Sequence, residues 1–187
     1  MNEAEFDIIR RIQNGQVNDY ELLVRKYQSA VFNVLLHMLH REEEARELTQ
    51  DVFVKAYEHL DAFNFESKFY SWIYRIAINS AISFRKKQRH LMFTGYFPQL
   101  FEETADELMM EKEKNMLLHK AIGRLKSKYK AVVVLRYFQQ LSYNEIAEVL
   151  HVSESKVKSR LFCSRKLLKE MLQETGYFEI NEKEQNI

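Results

Sequence analysis

The stretch from Leu141 to Leu172, LSYNEIAEVLHVSESKVKSRLFCSRKLLKEML, constrains this chain more than any other. Ser142 and Glu145 stand at the Ser-x-x-Glu spacing of a capping box, so a helix begins there. Ile146, Ala147 and Leu150 form its apolar face, His151-Val152 makes a turn, and Ser153 caps a second helix. The turn position at His151 often needs positive φ; glycine is commoner there, but histidine tolerates that region better than most residues. Val157, Leu161, Ser164, Leu168 and Met171 recur at helical spacing, with Lys156, Lys158, Arg160, Arg165, Lys166 and Lys169 on the other faces. Two short helices, the second basic, make a helix-turn-helix pattern whose second helix is the expected reader of the DNA major groove. The plainer alternative is a surface helical hairpin with a solvated basic face.

The rest of the chain reads as helix. Four glycines and one proline in 187 residues leave little material for a turn-rich β architecture. Residues 3–13 form a short amphipathic helix ended by Asn14-Gly15. Asp19 is the expected cap of a second helix to about His40. A third runs from about Glu42 to Leu60, burying Ala45, Leu48, Val52, Phe53, Ala56 and Leu60 and exposing Glu43, Glu47, Gln50 and Asp51. DAFNFESK is a loop, and Ser67 is the expected cap of a long helix to about Arg89. Residues 91–105, with the only proline at Pro98, read as a linker. Helical patterning resumes at about Asp106, and a further helix spans Ser127 to Phe138. Ala131-Val132-Val133-Val134-Leu135 resembles a buried strand but lacks a second strand to pair with. The expectation is all-α: two small helical domains, 1–90 and 106–187, the second ending in a polar tail.

A net charge of +1 hides an asymmetry. Lys68 to His90 contains no acidic residue, whereas Glu42 to Asp51 is mostly acidic, which predicts two faces for two kinds of partner. Cys163 is the only cysteine, so no internal disulfide forms and a reducing cytoplasm is expected. No apolar run reaches a membrane span, and no direct membrane insertion is expected.

Between Phe63 and Arg85, aromatics alternate with basic and amide side chains. Unpaired bases stack on flat rings while cations track phosphates, so this mixture suits single-stranded nucleic acid. Core packing of the same rings is the competing explanation. An enzyme is disfavoured, because neither a phosphate-binding Gly-rich loop nor a His-Glu-x-x-His motif is present. His37 and His40 could share a face, but with six histidines in the chain chance or surface placement accounts for them, and no metal or other cofactor is expected. A duplex-binding repressor and a protein-binding helical adaptor remain as alternatives.

Three segments, EEEARELTQDVFVKAYEHLDAF, FYSWIYRIAINSAISFRKK and LSYNEIAEVLHVSESKVKSRLF, together resemble the extracytoplasmic-function group of bacterial RNA polymerase sigma factors, in order and separation. The resemblance implies a sigma-2-like and a sigma-4-like domain. The partners it implies are core polymerase, through its clamp helices and flap, promoter DNA, and an anti-sigma factor that is often membrane-bound. By position, Glu47, Gln50, Asp51 and Phe53 match the polymerase-binding helix. Phe63, Asn64 and Ser67 match the loop that captures a flipped −10 base, and Trp72, Arg75 and Asn79 match the helix that supports strand opening. Lys158, Ser159, Arg160 and Phe162 match the −35 reading helix, on which Lys156, Cys163 and Arg165 also lie. The linker matches the segment that threads towards the RNA channel, with Glu102, Glu103, Asp106 and Glu107 suited to polyanion mimicry. The family often has aspartate at Ser83, threonine at Lys156 and arginine at Cys163, so promoter preference does not transfer.

Overall fold

The computed structural model describes residues 3–93, 109–175 and 177, and these are helical throughout apart from turns. The helices are α1 (Glu3–Gln13), α2 (Tyr20–Leu39), α3 (Glu42–Glu58), α4 (Phe69–Phe93), α5 (Met109–Arg124), α6 (Ser127–Val133), α7 (Tyr143–Leu150) and α8 (Glu154–Gln173). The expected linker starts inside α4, whose last turn reaches Phe93. Residues 94–108, which carry Gly95, Pro98, Glu102, Glu103, Asp106 and Glu107, lie outside the described residues, as does most of the polar tail.

Helices α2, α3 and α4 pack on one another and are closed at one end by α1. Leu23, Val31, Leu35, Ala45, Val52, Ala56, Phe69, Ile73 and Ala77 are fully buried between them. Every residue of the stripe expected on α3 is buried, because apolar side chains at i, i+3, i+4 and i+7 share one side of a helix. Helices α5 to α8 form a second group, in which α8 lies across α6 and α7. Ser164 permits that close approach: it is fully buried, and its hydroxyl donates to the Arg160 carbonyl at 2.6 Å.

The two groups are not separate bodies joined only by a tether. Val134, Leu135, Ile146 and Val149 belong to the same buried cluster as Leu35, Met38 and Ile73. Lys130, fully buried, crosses the seam and donates to the carbonyls of Gly123 at 3.0 Å and Met38 at 3.3 Å. Both carbonyls sit in the last turn of a helix, α5 and α2, where unpaired carbonyls and the helix dipole favour a cation.

Two expected caps are corrected. Asp19 closes a 3₁₀ turn, Val17–Asp19, with helical dihedrals, and its carboxylate pairs with Arg11 at 2.7 Å instead of accepting a cap bond. Helix α4 starts from Lys68, whose carbonyl accepts from the amides of Ser71 and Trp72, one residue later than Ser67 would place it. The apolar run is helical, as expected, but α6 ends at Val133 and continues as a π turn over Val134–Phe138. That wider turn hands the chain to the loop before α7.

Candidate nucleic-acid and polymerase interface

The helix-turn-helix follows the sequence closely. The Ser142 hydroxyl accepts from the Glu145 amide at 3.2 Å, and the Glu145 carboxylate accepts from the Ser142 amide at 2.9 Å. His151 takes a left-handed conformation with φ of 49° as the turn residue, and Ser153 caps α8 through the Lys156 amide at 3.3 Å. Val157 and Leu161 are buried against the rest of the group, which turns the opposite side of α8 outward. On that side Lys156, Lys158, Ser159, Phe162 and Arg165 are exposed, and Phe162 is 70% exposed. An aromatic ring this exposed beside lysines contributes nothing to the core. Cys163 and Arg160 are half-buried, and the buried Arg160 Nε has no partner.

Two tyrosines that the sequence did not mark hold the basic side chains beside α8. Tyr137, exposed, accepts from Arg165 Nε at 2.8 Å, and that contact raises the arginine's affinity for its proton. Lys158 lies 5.9 Å and Arg136 5.1 Å from the centre of the Tyr143 ring, so that ring sits between two cations.

On α3, Glu47, Gln50 and Asp51 are exposed in one stripe, as expected. Phe53 is not on it: the side chain is buried and only its carbonyl is used, accepting from Tyr20 Oη at 2.6 Å. Phe53 stands three positions before the fully buried Ala56 and so shares the core-facing side, orienting α3 rather than offering surface. Val54 and Tyr57, 57% and 43% exposed, extend the acidic stripe with apolar area.

The loop before α4 is built on an aromatic floor. Phe63, expected to touch a base, is 3% exposed, because it packs within 5.1 Å of Phe65, 5.5 Å of Trp72 and 5.8 Å of Phe69, measured between ring centres. Phe63 is therefore floor, not contact surface. Asn64 is exposed above it and accepts from the Glu66 amide at 3.3 Å, and Ser67 is half-buried. Phe65 holds φ of 63°, a region that a bulky residue enters only when its surroundings force it. Phe6 at 5.3 Å and Arg10 at 5.1 Å supply that force from α1, a role no local pattern announced.

Along α4, Trp72 is half-buried and Asn79 exposed. Arg75 does not point into solvent. Its Nη2 donates to the Glu148 carbonyl at 2.8 Å and its Nε to the Val149 carbonyl at 3.2 Å, and burial lowers its affinity for its proton. Tyr70 donates to Glu145, and Lys68 reaches the same carboxylate at 3.1 Å. The Tyr70 hydroxyl, with the Ser142 amide, pushes the Glu145 carboxyl down to about 2.

His37 and His40 are not surface residues either. His37 stacks on Phe138 at 3.6 Å and on His119 at 5.7 Å, at the seam between the two helix groups. Burial lowers His37 to about 4 and His40 to about 3, helped for His37 by His119 and for His40 by Lys130, His119, His37 and Arg85. Among the described residues no cluster of three or more His, Cys, Asp or Glu side chains is placed to hold a metal ion, and no helix is long and apolar enough to cross a membrane.

Comparison with known proteins places these surfaces in two matched regions. Residues 23–91 match Sigma-70 region 2, and residues 115–168 match Sigma-70, region 4. The chain is 31% identical to the RNA polymerase sigma-H factor of Pseudomonas aeruginosa, over 91% of this chain and 95% of that protein. It is 34% identical to the RNA polymerase sigma factor YlaC of Bacillus subtilis, over 80% of this chain and 89% of that one. It is 28% identical to the ECF RNA polymerase sigma factor SigW of B. subtilis, over 89% and 95%. In fold it is similar to CnrH, solved in complex with the cytosolic domain of CnrY, with a TM-score of 0.67 at 23% identity over 89% of this chain and 95% of that one. The sigma factor RpoE of Bartonella quintana, solved with the anti-sigma factor NepR, gives a TM-score of 0.66 at 22% identity over 83% and 97%.

Proposed function

The chain belongs to the extracytoplasmic-function sigma factors, non-enzymatic initiation factors that bind core RNA polymerase and direct it to promoters, and we propose how its residues divide that work. The proposed division is a region 2 domain over residues 1–90, a linker over 91–105 and a region 4 domain from 106 onward. It acts in the bacterial cytoplasm.

Helix α3 docks on the polymerase clamp through Glu47, Gln50 and Asp51, with Val54 and Tyr57 adding apolar contact and Phe53 holding the helix from beneath. What supports this is the exposed acidic stripe over a fully buried apolar one. Helix α8 reads the −35 element. Lys156, Lys158 and Arg165 meet phosphates, Phe162 meets base edges such as a thymine methyl, and Ser159, Arg160 and Cys163 complete the face. The 70% exposure of Phe162 between lysines supports that reading.

At −10, one non-template base leaves the stack and is held over the Phe63–Phe65–Trp72 floor, with Asn64 and Ser67 reading its edge. Unstacking a base costs a few kcal/mol, which an apolar floor with polar rim groups offsets. Arg75 and Asn79 hold the adjoining backbone. Like the B. quintana RpoE, this chain is proposed to take an anti-sigma factor as a partner, one that the family resemblance makes often membrane-bound.

The observation that carries the proposal furthest is the α3 stripe, and its test is direct. Asp51→Arg weakens a core polymerase pull-down while far-UV circular dichroism stays unchanged. Undiminished retention of the variant on core polymerase contradicts the assignment.

A further inference from the structure

We propose that α1 is the positioning helix of the base-capture loop: through Phe6, Arg10 and Gln13 it fixes the backbone that aims Asn64 and Ser67 at the extruded base. The inference deepens the −10 reading given above and rests on it. Helix α1 carries two neighbouring stripes, each at i, i+4 and i+7. Glu5, Ile9 and Ile12 are buried and tie α1 to the helices behind it, with the Glu5 carboxylate accepting from Lys26 and Tyr27 of α2. Phe6, Arg10 and Gln13 form the other stripe, and it meets the loop.

Gln13 holds the root of the loop. Its Nε2 donates to the Leu60 carbonyl at 2.9 Å and the Phe63 carbonyl at 3.2 Å, so one amide spans the 3₁₀ turn Leu60–Ala62 that leads into Asn64. Phe6 and Arg10 hold the next bend. The Phe6 ring meets Phe65 edge-on at 5.3 Å, and the Arg10 guanidinium lies 5.1 Å from the centre of the same ring. Phe65 is thereby kept at φ of 63°, a conformation that a phenylalanine rarely adopts. Within that bend the Glu66 amide donates to Asn64 Oδ1 at 3.3 Å. With Oδ1 committed to the turn, the amide nitrogen is what Asn64 offers to an acceptor on a base edge. The three α1 residues act without touching the base. A loop already bent loses less freedom on capture, and its polar groups meet one base edge rather than several.

The test uses holoenzyme formed with the full chain, and fork DNA whose single-stranded −10 non-template segment is randomised. The junction fixes the register, and sequencing of the bound fraction gives the base preference at each position. The unsubstituted chain is expected to show one position where the wrong base weakens binding about tenfold or more. Gln13→Met keeps the stem and removes the donor. It is expected to shrink that ratio to about threefold or less, with preferences at the other positions unchanged. Gln13→Lys, which restores a donor at similar reach, is expected to recover most of the ratio. Arg10→Gln, at an exposed site, is expected to lower the ratio at the same position. Full discrimination in both Gln13→Met and Arg10→Gln overturns the proposal. So does equal weakening at every position that tracks a lowered melting temperature, which assigns the stripe to the fold alone. Failure of the underlying reading looks different: the unsubstituted chain then shows no such position, or Asn64→Ala retains it in full.

Discussion

Arg75 Nη2 lies 2.8 Å from the Glu148 carbonyl, so a residue proposed to hold promoter DNA is bonded to the C-terminal end of α7, the first helix of the helix-turn-helix. The helix proposed to support strand opening thus contacts α7, while the outward side of α8 stays exposed. Each variant below bears on that packing, on the outward side of α8 or on the loop before α4.

Lys130 is the first. It is fully buried and joins α2 to α5 by donating to the Met38 and Gly123 carbonyls. Lys130→Ala removes the cation and its packing and takes a donor from the Gly123 carbonyl, while the Met38 carbonyl keeps Arg85 Nη1 at 3.3 Å. The expected loss is about 2–4 kcal/mol, against about 1–3 kcal/mol for Lys130→Met, which keeps the stem. Urea unfolding checks this: the midpoint moves down in that order while the slope holds.

Acidification acts on the same seam. His37 and His40 bind protons less readily when buried than at the ordinary value of 6.5. The unfolded chain then takes up more protons, and stability present above pH 6.5 is lost as pH falls towards 4 and 3. Between about pH 7.5 and about pH 5.5 the loss is roughly 1–3 kcal/mol. His40→Asn keeps a residue suited to its left-handed φ of 59° and removes one titrating group. Its urea midpoint is expected to fall less over that interval. Glu145 contributes in a lower window, from its ordinary 4.5 down to about 2.

Phe162 separates stability from recognition. Phe162→Ala is expected to change unfolding by no more than about 0.5 kcal/mol, since the ring is mostly in water. Duplex −35 binding weakens by roughly 1–3 kcal/mol and loses preference at one position. Lys158→Ala instead weakens all sequences alike and lowers the salt slope by about one unit. Titrations of one −35 duplex and one scrambled duplex at two salt concentrations distinguish the two behaviours.

Tyr137→Phe tests whether the aromatic neighbours of α8 matter. It removes one hydroxyl that accepts from Arg165 and leaves Tyr143 in place. The expected result is a modest loss of duplex affinity with unchanged melting temperature, and no effect in an Arg165→Ala background. Equal losses in both backgrounds would show that Tyr137 acts on DNA independently.

What the sequence made legible was local. The Ser142–Glu145 box, the left-handed His151, the Ser153 cap and the stripes of α3 and α8 each depend on residues within a few positions of one another. What it hid was set by contacts distant in the chain. Phe63 resembles a surface aromatic in a motif, yet Phe6 of α1 and Phe69 and Trp72 of α4 pack around it. Lys130 reads as a surface lysine until two helix ends are brought over it. His37 and His40 read as scattered until Phe138 and His119 arrive from the other half. The π turn at Val134–Phe138 has no local signature, because its wider geometry answers to the loop that follows.

The central claim is that the loop before α4 captures an unstacked base, and fluorescence of a base analogue in the −10 non-template strand tests it most directly. Holoenzyme formed with Asn64→Ala or Ser67→Ala, at matched melting temperature, is predicted to open the promoter more slowly and to a lower final amplitude. A pre-melted bubble should restore only part of that amplitude, because the base contact is still missing. Unchanged amplitude and rate for both variants would contradict the account, and would assign the aromatic floor to the fold alone.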